Sequence, residues 1–179
     1  MIILLIRHGQ AVEDAPGLGD TGRWLASKGR KVTRKVARWL DKSDKKRPTA
    51  IWTSPLVRAV QTAEIVAAGV GFEGELKSCS ELTPGRDPGD LVKRIGEDPV
   101  DGVLALVGHE PSLSLIAGAL LGEAHVDGLK KSGVVGIRWE EGKGTLRFVL
   151  DPARMKAKKR FTAPEPAPAV EAPAADQAE

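Results

Sequence analysis

Residues 1–10 read MIILLIRHGQ: an apolar run over residues 2–6 that breaks directly onto Arg7, His8 and Gly9. A short, unalternating Ile/Leu run describes a strand buried on both faces, the kind a parallel sheet covered by helices requires. Two further apolar runs end in the same manner. Residues 50–53 pass into Ser54-Pro55 with Arg58 one turn later, and residues 103–107 pass into Gly108-His109-Glu110. Between the first two, Val32, Val36, Trp39 and Leu40 recur at helical spacing, which predicts an amphipathic helix over 28–41 with Ser27 as its cap. Ser54 and Pro55 read as the cap and first position of a second helix carrying Ala59, Val60, Ala63 and Val66. A third strand is expected near 75–77 and a short helix near 91–95. Residues 108–111 turn into a helix carrying Leu113, Ile116, Ala117 and Leu120. Residues 134–139 and 145–150 flank EEGKG as an antiparallel hairpin. The whole predicts a three-layer α/β/α sandwich whose mostly parallel central sheet has an antiparallel edge.

With 179 residues, 41% of them hydrophobic, the chain is long enough for one well-buried domain. That domain is expected over 1–161. The remainder, TAPEPAPAVEAPAADQAE at 162–179, is Ala, Pro and scattered acid and reads as a disordered tail. It holds Glu165, Glu171, Asp176 and Glu179 and no Lys or Arg, so the net charge of +3 becomes +7 over residues 1–161. A basic domain favours anionic partners. With no Tyr and three Phe there are few platforms for stacking bases, which points to phosphate and away from nucleic acid. PARMKAKKR at 152–160 reads as a solvated terminal turn.

A single cysteine, Cys79, excludes an internal disulfide, and His8, His109 and His125 have no metal-ligand spacing, so neither a metal nor a cofactor is expected. Cys79 reads as a small buried or half-buried filler, His125 as a surface residue, and the four tryptophans as core and rim packing. The opening apolar stretch is too short for a signal core and no long apolar run follows, so a soluble, cytoplasmic protein without a membrane partner is expected.

In an open α/β sheet, ligands bind at the carboxyl ends of the parallel strands, where helix N-termini favour oxyanions. The three strand endings bring Arg7, His8, Arg58 and His109 to that edge, a phosphate-compatible set. RHG at 7–9, SPLVRAVQTAE at 54–64 and LVGHEPS at 106–112, in this order, resemble the histidine phosphatase (phosphoglycerate mutase-like) superfamily over residues 1–150. The small size, with no inserted lid domain and only the loop over 83–89 as possible cover, is most similar to its SixA-type phosphohistidine phosphatase branch.

The resemblance implies that His8 is the nucleophile of a metal-independent hydrolase and carries the phosphoryl group covalently. Its other ring nitrogen would donate to a backbone carbonyl such as that of Gly9, where glycine would permit an unusual dihedral. Arg7 and Arg58 would clamp the phosphoryl oxygens with forked donors, and His109 would add charge as a cation. Gly9 would complete the phosphate-binding set. For the general acid the resemblance offers Glu81, in CSELTPG, ahead of Glu110, where the acid phosphatase branch carries Asp. The implied activity is removal of phosphate from a protein histidine on a phosphotransfer domain or phosphocarrier in signal transduction; by its charge the basic helix of Arg30, Lys31, Arg34, Lys35 and Arg38 reads either as a receiver of an acidic partner or as a solvated face. A small-molecule phosphomonoesterase on the same site is the alternative within enzymes. A non-catalytic phosphate-binding module is the alternative outside them, and the presence of His8 argues against it.

Overall fold

A computed structural model describes residues 1–123 and 126–161; His125 and the segment 162–179 lie outside the described residues. The elements follow in the order β1 (Ile2–Arg7), α1 (Ser27–Leu40), β2 (Ala50–Thr53), α2 (Val57–Val70), β3 (Leu76–Ser78), α3 (Pro88–Glu97), β4 (Val103–Gly108), α4 (Ser112–Leu121), β5 (Val134–Glu140), β6 (Lys143–Asp151) and β7 (Lys156–Lys158). They form one seven-stranded sheet ordered β3-β2-β4-β1-β5-β6-β7. β3, β2, β4 and β1 run parallel, while β5, β6 and β7 extend the sheet antiparallel from β1. No helix among the described residues is long and apolar enough to cross a membrane.

The central strands β1 and β4 are apolar over residues 2–6 and 103–107 because both faces are covered. Side chains alternate across a strand, so Ile3 and Leu5 join Leu104 and Leu106 in the core that α3 and α4 close with Leu91, Ile95, Leu113 and Ile116. Leu4 and Ile6 face the other way, with Val103, Ala105 and Val107, into a core closed by Val36 and Leu40 of α1 and Ala59, Ala63 and Val66 of α2. On α1 the buried positions are Gly29, Thr33, Val36, Ala37 and Leu40, one helical stripe, which leaves its lysines and most of its arginines in solvent.

Register then sets the site. Arg7 lies opposite Gly108 and Thr53 opposite Val107, so β1, β2 and β4 end at one level. The ladder continues one step further, with the His8 amide donating to the Gly108 carbonyl (3.0 Å) and the Ser54 amide to the Val107 carbonyl (2.9 Å).

Several local expectations are corrected. Ala26, not Ser27, occupies the N-cap of α1, and its amide is taken by the Gln10 carbonyl in a tertiary contact. α2 begins at Val57 rather than at Pro55, and Ser54 Oγ, which accepts the Leu56 amide at 3.4 Å, is also bonded to His109 across the sheet edge. The helix expected near 91–95 spans Pro88–Glu97, with the Asp87 carboxylate accepting from the Gly89 amide at its cap and Pro88 at its first position. The basic segment is not only a turn: Lys156–Lys158 pairs with β6 as an exposed edge strand, where lysines discourage further pairing. The hairpin forms as read, its two-residue turn being Glu141-Gly142 with φ of 51° and 78°.

Candidate active site

His8 lies just beyond the end of β1, and its Nδ1–H donates to the Gly9 carbonyl at 2.7 Å. That bond fixes the tautomer and leaves Nε2 as the ring nitrogen with a free lone pair. Burial pulls the His8 imidazole down to about 4; the Gly9 bond acts upward, while Arg58, Arg7 and Lys131 act downward. His8 is therefore neutral at ordinary pH. Gly9 itself is not at a left-handed dihedral, contrary to expectation. A Cβ there would lie 2.8 Å from Thr33 Oγ1 and 3.2 Å from the Gly29 carbonyl, so glycine is required by the close approach of α1. The Gly9 amide donates to Thr62 Oγ1 (3.1 Å), whose hydroxyl donates to the Arg58 carbonyl (2.7 Å). The turn after the histidine is thereby tied to α2.

His109 follows β4 and stands beside His8, with ring centroids 5.0 Å apart. Its Nε2 is hydrogen-bonded to Ser54 Oγ at 2.9 Å. The expectation of a cationic His109 is corrected for the free site: burial, followed by the repulsion a protonated His8 would exert and by the charge of Arg58, lowers it to about 3. Withdrawal from water penalises the charged ring most, and the arginines beside it add repulsion.

Each arginine is held by a backbone carbonyl. Arg7 Nη1 donates to the Leu129 carbonyl at 2.6 Å. Arg58 Nη1 donates to the Asp20 carbonyl at 2.6 Å, and Nη2 meets the Asp20 carboxylate at 2.9 Å. Both guanidiniums keep further N–H groups, since each has five. Among the described residues, the buried side-chain nitrogens and oxygens lacking a hydrogen-bond partner are Arg7 Nε and His109 Nδ1, both in this site. An orphaned buried polar group costs about 1–3 kcal/mol, so such atoms mark a place built to meet a polar ligand.

Arg7, His8, Gly9, Arg58 and His109 thus meet at one edge of the sheet. Glu81 is held elsewhere. Its carboxylate receives Arg94 Nη1 at 2.7 Å on both oxygens, with Ser80 Oγ at 3.0 Å and Cys79 Sγ at 3.4 Å. Arg94 holds Glu81 down to about 2, so it carries no proton at neutral pH, and none of these partners belongs to the histidine cluster. Cys79 is fully buried as read, and burial raises its thiol to about 11. Glu110 is bonded to Ser114 Oγ and the Leu129 amide. Of the tryptophans, Trp52 is buried and Trp24 is exposed. Asp20, Ser54, Thr62 and Leu129 were missed as site residues. Thr62 sits one turn beyond Arg58 and could have been found by helical spacing; Leu129 acts through its backbone and carries no sequence signal.

A family model for the histidine phosphatase superfamily (branch 1) matches residues 3–83. The matched stretch contains Arg7, His8 and Arg58, and the fold supplies His109 from beyond it. An uncharacterised protein of Picosynechococcus sp. is 37% identical over 146 residues, covering 77% of this chain and 85% of the relative. The chain belongs to the histidine phosphatase superfamily. Within it the similarity runs to SixA: the phosphohistidine phosphatase SixA of Escherichia coli is 27% identical over 162 residues, 89% of this chain and 99% of that protein. The solved structure of the protein histidine phosphatase SixA complexed with tungstate superposes with a TM-score of 0.79 at 26% identity, covering 87% of this chain and all of that one.

Proposed function

We propose that this chain is a phosphohistidine phosphatase that removes phosphate from a histidine of another protein through a covalent phosphoryl-His8 intermediate. The observation that carries the reading is the His8 Nδ1–H to Gly9 carbonyl bond, which leaves Nε2 unprotonated among Arg7, Arg58 and His109. Nε2 attacks phosphorus while the bond from phosphorus to the substrate's ring nitrogen breaks. The displaced imidazole leaves neutral once its second nitrogen has taken a proton from solvent. Water then attacks phosphoryl-His8, the P–Nε2 bond breaks, and the lone pair returns to the ring as phosphate departs with the water's proton. Phosphoryl transfer needs chiefly alignment and charge on the equatorial oxygens, which Arg7 and Arg58 supply with forked donors.

The substrate class follows from the acid. Glu81 is ionised and held by Arg94, so we assign it no proton transfer. An alkoxide leaving from a phosphate ester needs a proton at the site; an imidazole brings its own second nitrogen. The SixA resemblance supports the same choice, and tungstate, the ligand of the superposed SixA, is an oxyanion of phosphate-like shape. We place the protein in the cytoplasm and its substrate among histidine phosphotransfer domains or phosphocarriers of signalling.

The test is brief mixing with a protein phosphorylated on histidine. Acid-labile, base-stable phosphate should appear on the chain, and His8→Ala should neither label nor turn over. A wild type that never labels and never releases phosphate defeats the reading. Faster turnover of a panel of phosphate esters than of phosphohistidine would defeat the substrate class and leave His8 standing.

A further inference from the structure

Glu110 follows His109 and precedes α4, where a carboxylate could serve simply to cap the helix or oppose its dipole. The contacts say otherwise. No backbone amide of α4 donates to it: one oxygen takes the Ser114 hydroxyl at 2.6 Å and the other takes the Leu129 amide at 3.0 Å, nineteen residues away. Leu129 is buried, and the carbonyl of this same residue receives Arg7 Nη1 at 2.6 Å. The residues that follow close on the same strand end, because the Ser132 amide donates to the carbonyls of Arg7 (3.1 Å) and His8 (3.2 Å) and the Arg7 amide donates to the Gly133 carbonyl (3.1 Å).

We propose that Glu110 is the positioning residue for Arg7: by holding the Leu129 amide it fixes the Leu129 carbonyl, and the carbonyl fixes the plane of the guanidinium. With Nη1 so held, the buried and unpartnered Nε of Arg7 is presented to a phosphoryl oxygen in one orientation. The inference rests on the pocket being a phosphoryl site and adds to it a residue that never touches the phosphoryl group. It also gives the carboxylate after His109 a role other than proton donor.

The experiment is a double-mutant cycle between Glu110 and Arg7, read by inorganic phosphate binding in calorimetry and by p-nitrophenyl phosphate turnover. Glu110→Ala should weaken phosphate binding and lower kcat/KM by about 10–100-fold, the range expected for a lost hydrogen bond that orients a charged group. Glu110→Gln should stay within about threefold, since its amide oxygen can still accept from the Leu129 amide. Ser114→Ala, which breaks only the other contact and leaves the Leu129 amide bonded to Glu110, should stay within about twofold, because it removes no link to Arg7. In an Arg7→Ala background the Glu110→Ala change should cost less than about twofold, because coupled residues are not additive. Equal losses in both backgrounds, or a Glu110→Gln loss as large as that of Glu110→Ala, would overturn the proposal. If Glu110→Ala does not fold, Glu110→Asp, too short to span Ser114 and Leu129, replaces it in the cycle with the same criteria. Should the protein prove inactive on every phosphate donor, the function above fails, and the coupling measured by phosphate binding still decides the role of Glu110.

Discussion

The two arginines of the pocket are held alike at one atom and differently everywhere else. Arg7 and Arg58 each give Nη1 to a backbone carbonyl at 2.6 Å, from Leu129 and Asp20 respectively. Leu129 is buried and its amide is tied to Glu110, so the carbonyl facing Arg7 belongs to the folded core. Asp20 lies in a one-turn 3-10 segment, Asp20–Gly22, in which no residue is buried; its side chain is 61% exposed against 7% for Arg58. The Asp20 carboxylate is also shared with Arg23 at 2.9 Å. One guanidinium is therefore oriented by packing, and the other in part by an exposed anion beside the pocket.

The largest effects are expected at the arginines themselves. Arg7→Ala and Arg58→Ala should each lower kcat/KM on a phosphorylated donor by about 10²–10³-fold, as for removal of a preorganised donor to a transferring group. Lysine at either position should recover little of it, since a point charge cannot reproduce a fixed fork. Stopped-flow or steady-state assays with the single variants decide this; recovery to near wild type by lysine would show that charge alone is needed.

The supports should then respond with opposite signs. Where loss of the Glu110 contact weakens anion binding, Asp20→Asn keeps the carbonyl contact and removes a negative charge. Inorganic phosphate should inhibit this variant about threefold more strongly at low salt, with the difference fading as salt screens the carboxylate. An unchanged or weaker inhibition would mean that the Asp20 carboxylate orients Arg58 as firmly as the core orients Arg7.

Acid should separate the buried pair from the surface. His8 at about 4 and His109 at about 3 both lie below the ordinary imidazole value, so between about pH 6.5 and 4 the unfolded chain binds protons that the folded chain refuses. Stability conferred by neutral burial is complete above that window and is lost as pH falls through it. The urea midpoint of the wild type should drop between pH 7 and 4.5, and that of His109→Asn should drop less. An equal drop would show that His109 titrates normally. The smallest effect is expected at Glu81. Its half-buried pair with Arg94 lies outside the histidine cluster, so Glu81→Gln should leave phosphohistidine turnover within about threefold, as for a site that shares no partner with the reacting groups. A large loss of turnover would return Glu81 to the chemistry.

The parts of this site that were legible in the sequence are those written in consecutive residues. RHG, the serine-proline turn with Arg58, and GHE each stand at a strand end, and alternation of buried faces turns three such endings into one sheet edge. What stayed hidden acts through atoms that every residue has, or through surroundings. The carbonyl of Leu129 is 122 residues from Arg7 and looks like any other. Ser27 and Ser54 have the chemistry of helix caps, yet the N-cap of α1 is Ala26, and Ser54, besides accepting the Leu56 amide, bonds His109 from across the sheet edge. The charge of His109 could not be read from its name, since the desolvation that neutralises it comes from the folded neighbourhood. β7 was concealed by its own lysines, which an edge strand tolerates and a buried strand does not.

The position of β1 in the sheet bears on how the molecule comes into being. Its neighbours are β4 and β5, and β2, the next strand in sequence, pairs with β3 and β4 instead. The strand carrying Arg7 and His8 is thus made early and has no partner until residues 103–140 have also been made. At about 5–20 residues per second, that is a wait of about 5–25 s for a chain with an apolar strand unpaired. Because His109 follows β4 and Leu129, which anchors Arg7, precedes β5, the candidate site is assembled with closure of the sheet, late and all at once.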